Sequence, residues 1–232
     1  MDKERRQVSH LNVYLTAAGG VLAGLAAAAA VLIRQRQIIG YQRQALVDRE
    51  RDRSHWRRLA THNDTTDLPN RRALWTLLEA TFSLGEPVGL VLIDLDGFKQ
   101  VNDTYGHEHG NDLLHEVGRR LTALGPPVAL AAHLSGDEFA LLVHGGDGQV
   151  EAAAQTAHRR ISAGAYEVDG RRVTVTASVG YAVAEPGMPP RDLLHAADQA
   201  MYVAKRHRGG VRAHDPSHAT RPRPVARYRD LR

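Results

Sequence analysis

Val88-Gly89-Leu90-Val91-Leu92-Ile93-Asp94 is an unbroken apolar run of strand length that ends in a carboxylate. Such a run reads as a strand buried on both faces of a sheet, where an unpaired charge is costly. Asp94 is therefore expected to face a ligand or a cation. Further on, Ser135-Gly136-Asp137-Glu138 separates two more apolar runs, Val128–Leu134 and Phe139–His144, and reads as a hairpin turn carrying two further carboxylates. Carboxylates at the ends of neighbouring strands are an arrangement that holds a divalent cation against a nucleoside triphosphate. The plainer alternative for Asp137 and Glu138 is a polar turn without chemistry.

Outward from these strands the pattern alternates. Asn63–Asn70 is a turn-and-cap cluster, after which a helix is predicted over Arg71–Phe82. The first strand is followed by a loop and a helix near Gly110–Leu124, and the hairpin by a helix over Gln149–Ala163. Strands are predicted at Ala165–Val168 and at Arg172–Val183, the latter with period-two Val173, Val175, Ala177 and Val179. Arg191–Arg208 is the last helix, with Leu194, Ala197, Met201 and Ala204 on one face. The expected fold is α/β (α+β), a central mixed sheet flanked by helices.

The flanks differ from this domain. The chain has 232 residues, a formal net charge of +4 and no cysteine, which excludes disulfides and thiolate metal sites. Its basic residues gather at Arg34–Arg58 and Arg221–Arg232, so the charge belongs to the flanks and no nucleic-acid partner is expected. Leu11–Ile33 carries no charge, is long enough to span a bilayer, and has its heavier positive cluster downstream. This predicts a single-pass helix in the cytoplasmic (inner) membrane with the C-terminal domain in the cytoplasm. A signal peptide and a buried soluble helix are the rival readings. Gly20 and Gly24 add a small-residue row of the kind that lets membrane helices pair. The predicted order is a tail (1–10), a membrane helix (11–33), a linker that is either a solvated helix or a dimerising coiled coil (34–63), the α/β domain (64–214) and a basic tail without apolar periodicity (215–232).

Several ordered motifs resemble those of the GGDEF-domain family. They are Asp64-x-x-Asp67-Leu68-Pro69-Asn70-Arg71-Arg72, Ile93-Asp94-Leu95-Asp96-x-Phe98-Lys99-x-x-Asn102-Asp103, and Gly106-His107-x-x-Gly110. Gly136-Asp137-Glu138-Phe139, Ser178-Val179-Gly180 and Ala197-Asp198-x-Ala200-Met201-Tyr202-x-Ala204-Lys205 complete the series. The resemblance covers roughly Asp64–His214 and implies a diguanylate cyclase, which condenses two GTP into cyclic di-GMP on a fold related to nucleotide-cyclase and polymerase palms. It implies that Asp94, the Leu95 carbonyl and Asp137 hold Mg2+, with Mn2+ able to replace it. Glu138 then either assists a second ion or takes the proton of the attacking 3′-hydroxyl. Backbone amides around Gly97, Phe98 and Lys99 are implied to cradle phosphates, Lys205 to supply a point charge, and Asn102, His107 and position 111 to read the base. Because one domain binds one GTP, the resemblance also implies a homodimer.

The chain departs from the family pattern in four places. Asn111 stands where the family carries Asp; an amide offers one acceptor and one donor, a pattern that suits adenine as well as guanine. Either Asn111 is a tolerated variant or base selection is relaxed. Ser135 replaces the first Gly of the hairpin signature, while Gly136 is kept. Arg208-Gly209-Gly210 puts the arginine expected after Lys205 out of register; Arg206 and Arg208 are the candidates and the role is unassigned. Gly125-Pro126-Pro127-Val128-Ala129 occupies the place of the inhibitory Arg-x-x-Asp, so product feedback there is expected to be absent. The competing function is a silent GGDEF module that binds nucleotide or a partner protein. Retention of Asp94, Asp137, Glu138 and Lys205 favours the enzyme. His107, His109 and His115 do not form a metal-ligand pattern.

Overall fold

The computed structural model describes residues 34–168 and 170–218, together with Gly20. The predicted membrane helix, apart from Gly20, and the basic tail from residue 219 onward lie outside the described residues. Among the described residues no helix is long and apolar enough to cross a membrane. The chain divides into two units, residues 1–57 and 58–232. Residues 34–61 are helical (α1), and Ile38, Ile39, Tyr41, Leu46, Val47, Trp56 and Leu59 are exposed on it.

The second unit runs α2 (Arg71–Leu84), β1 (Val88–Asp96), α3 (Phe98–Tyr105), α4 (His107–Thr122), β2 (Val128–Ser135), β3 (Glu138–His144), α5 (Asp147–Ser162), β4 (Tyr166–Val168), β5 (Arg171–Val173), β6 (Thr176–Val183), α6 (Pro190–Arg206) and β7 (Gly210–Ala213). The main sheet has the order β2-β3-β1-β6-β7. Its pairs are antiparallel except β6 with β7, so the sheet is mixed, as expected. The apolar run Val88–Asp94 lies in its central strand.

Three expectations are corrected. The segment after β1 is not a plain loop: it contains α3, whose buried side chains are only Phe98 and Val101. The predicted strand Arg172–Val183 is two strands, β5 pairing with β4 in a separate two-stranded sheet and β6 joining the main one. A further strand, β7, lies parallel to β6 where no strand is predicted. Each is a short element whose burial depends on distant neighbours.

Period-two alternation along β1 positions the site. Val91, Ile93 and Leu95 enter the core shared with α3, α4 and α5; Val88, Leu90 and Leu92 enter the core shared with α2 and α6. Asp94 continues the second set and so lies on the α2/α6 face. The same alternation in β3 puts Phe139, Leu141 and Val143 on the first face and Ala140 and Leu142 on the second, which assigns Glu138 to the second. The register pairs Asp94 with Glu138 directly across the β1–β3 ladder.

On that face α6 lies close over β6 at Gly180, where an added Cβ would stand 1.9 Å from the Met201 amide nitrogen and 2.5 Å from its Cα. Backbone atoms cannot yield as a flexible side chain does, so α6 would have to retreat. Gly180→Ala is expected to destabilise the domain by about 3 kcal/mol or more in urea unfolding. A loss below about 1 kcal/mol would show that the helix adapts.

Candidate active site

Asp94 is 3% exposed at the centre of the sheet. Lys205, in the last turn of α6, places its Nζ 2.5 Å from Asp94 Oδ2. Burial pushes the Asp94 carboxyl up to about 6; the Lys205 hydrogen bond opposes this, and the neighbouring charges of Asp137 and Glu138 add to it. A buried anion beside two others is a position that a cation stabilises. The Leu95 amide donates to the Asp137 carbonyl at 3.1 Å, which ties the hairpin turn to the end of β1.

The turn itself is tight. β2 ends at Ser135 and β3 begins at Glu138, with Ser135 paired to Glu138 across it. Gly136 has φ +52°, a conformation that suits glycine, and so the change from Gly to Ser at the preceding position leaves the turn intact. The Glu138 carboxylate receives the Ser135 hydroxyl at 3.3 Å and faces the Arg71 guanidinium at 3.6 Å. Arg71 is the first residue of α2, whose cap is the Asn70 side chain accepting from the Arg72 and Ala73 amides.

Asp96, also on this face, accepts from Thr176 Oγ1 at 2.8 Å and Ser178 Oγ at 2.7 Å, which stitches β1 to β6 beside the site. Gly97, at φ +75°, turns the chain into α3, so the amides at the start of that helix follow the acidic strand end directly. Lys99 is exposed there, whereas the Phe98 ring is buried in the core; only the Phe98 backbone is available for phosphate. Asn102 is half-buried with its side chain against α4: a Cβ at Gly110 would lie 1.8 Å from Asn102 Oδ1. His107 and Asn111 are exposed four residues apart on α4, hence on one helix face.

The structure thus gathers Asp94, Glu138, Lys205 and the Asp137 backbone at one point, and places Asn102 against the helix that carries His107 and Asn111. Among the described residues no group of three His, Cys, Asp or Glu side chains closes tightly enough to cage a metal by itself. The Asp137 and Glu138 charges nevertheless lie near enough to act on the Asp94 carboxyl. The arrangement fits Mg2+, which takes one or two carboxylates and completes its shell with water and phosphate oxygens. The hard-oxygen donors and the buried, raised Asp94 carboxyl fit the ion as well.

Sequence reasoning missed two residues here. Arg71 lies within a quoted motif but had no role. His133, a buried polar residue in the apolar stretch Ala131-Ala132-His133-Leu134, was not singled out; a polar side chain two residues before the turn was the available signal. Arg206 and Arg208 are both exposed, Arg208 at φ +63°, and neither is placed on the acids.

The family profile described as "Diguanylate cyclase, GGDEF domain" matches residues 60–210. The chain belongs to the GGDEF-domain family. It is similar to the diguanylate cyclase DgcP of Escherichia coli K12, 32% identical over 174 residues, covering 72% of this chain and 51% of DgcP. It is also similar to an uncharacterised signalling protein of Caulobacter vibrioides, 37% identical over 162 residues, covering 67% of this chain and 20% of that protein. The chain therefore spans from a fifth to about half the length of these relatives. Among solved structures, the coiled coil and GGDEF domain of DgcB from Caulobacter crescentus, in complex with c-di-GMP, aligns with TM-score 0.66 at 28% identity, covering 73% of this chain and 94% of that one.

Proposed function

We propose that this GGDEF domain is a Mg2+-dependent diguanylate cyclase working as a homodimer, each subunit presenting one GTP to the other. The observation that carries the reading is the buried Asp94 carboxylate, opposite Glu138 in register and paired with Lys205. Asp94, the Leu95 carbonyl and Asp137 are the residues to hold Mg2+, which when bound supplies charge neutralisation at the reacting phosphates. Amides at the start of α3 and Lys205 orient the β- and γ-phosphates. The 3′-hydroxyl oxygen of one GTP bonds to the α-phosphorus of the other, the bond to pyrophosphate breaks, and Glu138 takes the hydroxyl proton. Repetition with the roles exchanged closes the ring and releases a second pyrophosphate. Leu11–Ile33 is the proposed anchor to the cytoplasmic membrane, with the domain on the cytoplasmic side.

The full chain with Mg2+ and GTP is expected to release pyrophosphate and a cyclic dinucleotide resolved by chromatography. Binding of GTP without turnover would favour the silent module. Asn111→Asp tests base selection: restoring a charge-assisted pair is expected to raise the GTP-to-ATP ratio of kcat/KM by about tenfold. An unchanged ratio would remove position 111 from base reading.

A further inference from the structure

His133 is 1% exposed on β2 and stacks on its cross-strand partner Phe139, ring centroids 4.4 Å apart at 13°. Phe139 belongs to the core on the α4/α5 face, so His133 lies beneath the sheet, on the side away from Asp94 and Glu138. Its Nε2 is 2.8 Å from the Gly136 carbonyl and its Nδ1 is 3.0 Å from Thr66 Oγ1. A carbonyl only accepts, so Nε2 carries the hydrogen; burial holds the ring in its neutral form, so Nδ1 accepts and the Thr66 hydroxyl donates. The His133 amide also donates to the Pro69 carbonyl at 2.9 Å.

This bridge joins two irregular segments. At the Gly136 end, the β2–β3 register shifts between His133 and Ser135, so Leu134 lies in a bulge and the ladder is irregular where the turn begins. The imidazole supplies there a fixed donor to the residue that precedes Asp137. At the Thr66 end, Asn63 Oδ1 accepts from the Thr65 and Thr66 amides and shapes a turn that is locked to the end of α1. That lock consists of Asn70 Nδ2 donating to the Ala60 and His62 carbonyls, and of Arg58 paired with Asp67. Leu68 fills the notch left by Gly118 of α4, where an added Cβ would be 3.0 Å from Leu68 Cδ1. Beyond this turn, Arg71 reaches Glu138 from the opposite face of the sheet.

We infer that His133 is a positioning residue that sets the Ser135–Phe139 turn, and through it Asp137 and Glu138, from the turn that links α1 to α2. The acceptor-only Gly136 carbonyl selects the ring tautomer, and the Thr66 hydroxyl donates to the nitrogen left bare. The segment entering the domain and the segment bearing the acids are thereby held as one unit, and a displacement of the first shifts the second. The inference deepens the functional reading, and only its kinetic arm rests on it.

The test uses the full chain. Nitrogen NMR of the His133 ring is expected to show Nε2 protonated and Nδ1 bare; the other tautomer or an imidazolium would overturn the inference. His133→Phe keeps the stack on Phe139 and removes both hydrogen bonds. It is expected to speed hydrogen exchange of amides 135–139 by about tenfold or more while those of α5 keep their rates. In GTP turnover it is expected to lower kcat by a similar factor with KM within about twofold, and His133→Gln, whose amide can donate to Gly136, to recover most of the loss. Thr66→Val, which leaves the ring in place, serves should the Phe variant not fold, with the same direction expected in exchange. Unchanged exchange at 135–139, or an unchanged kcat in a chain that turns over GTP, would overturn the inference. A wild-type chain that never turns over GTP would refute the cyclase reading, while exchange and tautomer would still decide the role of His133.

Discussion

Glu138→Gln turns over GTP at least about a hundredfold more slowly than the wild-type chain, with KM little changed, because an amide cannot take the 3′-hydroxyl proton. The change is nearly isosteric. The substituted amide oxygen can still accept from Ser135 and Arg71, which lie 3.3 and 3.6 Å from the native carboxylate. Stabilities from urea unfolding should therefore differ by less than about 1 kcal/mol between the two proteins. Retained kcat would remove Glu138 from proton transfer. A large loss of stability with proportionate loss of activity would make it a structural residue.

Asp94→Asn separates chemistry from stability more sharply. Turnover is expected to fall by about a hundredfold or more, since the substitution removes the buried ligand of the proposed Mg2+ site. Stability should move the other way. The Asp94 carboxyl is raised from 3.8 to about 6, so folding is favoured by the protonated form. That contribution is fully present below the unfolded value and is lost as pH rises through about 6. In EDTA the wild-type chain should therefore lose about 2 kcal/mol relative to the variant between pH 4 and pH 7.5. Urea unfolding of both proteins at these two pH values, with and without Mg2+, provides the measurement. Mg2+ favours the carboxylate and should restore wild-type stability at pH 7.5 while leaving the variant unmoved. Parallel pH dependence in both proteins would contradict the burial argument.

The sequence read most clearly where one signal dominated. The run Val88–Asp94 is apolar throughout and proves to be the central strand, so the position of its terminal acid followed. Arg71–Phe82 and Arg191–Arg208 carry helical periodicity with caps or breakers near their ends, and α2 and α6 agree within a few residues. By contrast, α3 reads Phe-Lys-Gln-Val-Asn-Asp-Thr-Tyr and buries only Phe98 and Val101, too thin an apolar pattern to distinguish a short helix from a loop. The alternation of Val173, Val175, Ala177 and Val179 continues across the break between β5 and β6, because period two reports which face is covered and not which sheet covers it. β7 is four residues long and owes its existence to β6.

In the site, Asp94 was legible because a charge is costly on a buried strand, and Asp137 and Glu138 because they stand at the neighbouring turn. Lys205, which is exposed, came from the family resemblance alone. The geometry was not legible: that Lys205 reaches Asp94, and that Arg71 reaches Glu138, depends on α6 and α2 sharing the face to which both acids alternate. His133 was hidden for a related reason. Its value comes from two partners, Thr66 and Gly136, one of which lies 67 residues away in sequence.

The proposed chemistry requires Asp94 and Asp137 to share one divalent cation with the nucleotide phosphates. A crystal structure of the chain with Mn2+ and a non-reacting GTP analogue, with the metal located by its anomalous signal, addresses this directly. The expected result is a Mn2+ peak within coordination distance of both carboxylates and the Leu95 carbonyl, bridged to the analogue, with Lys205 moved from Asp94 to a phosphate. A nucleotide bound with Lys205 still on Asp94, and Mn2+ absent or held elsewhere, would contradict it.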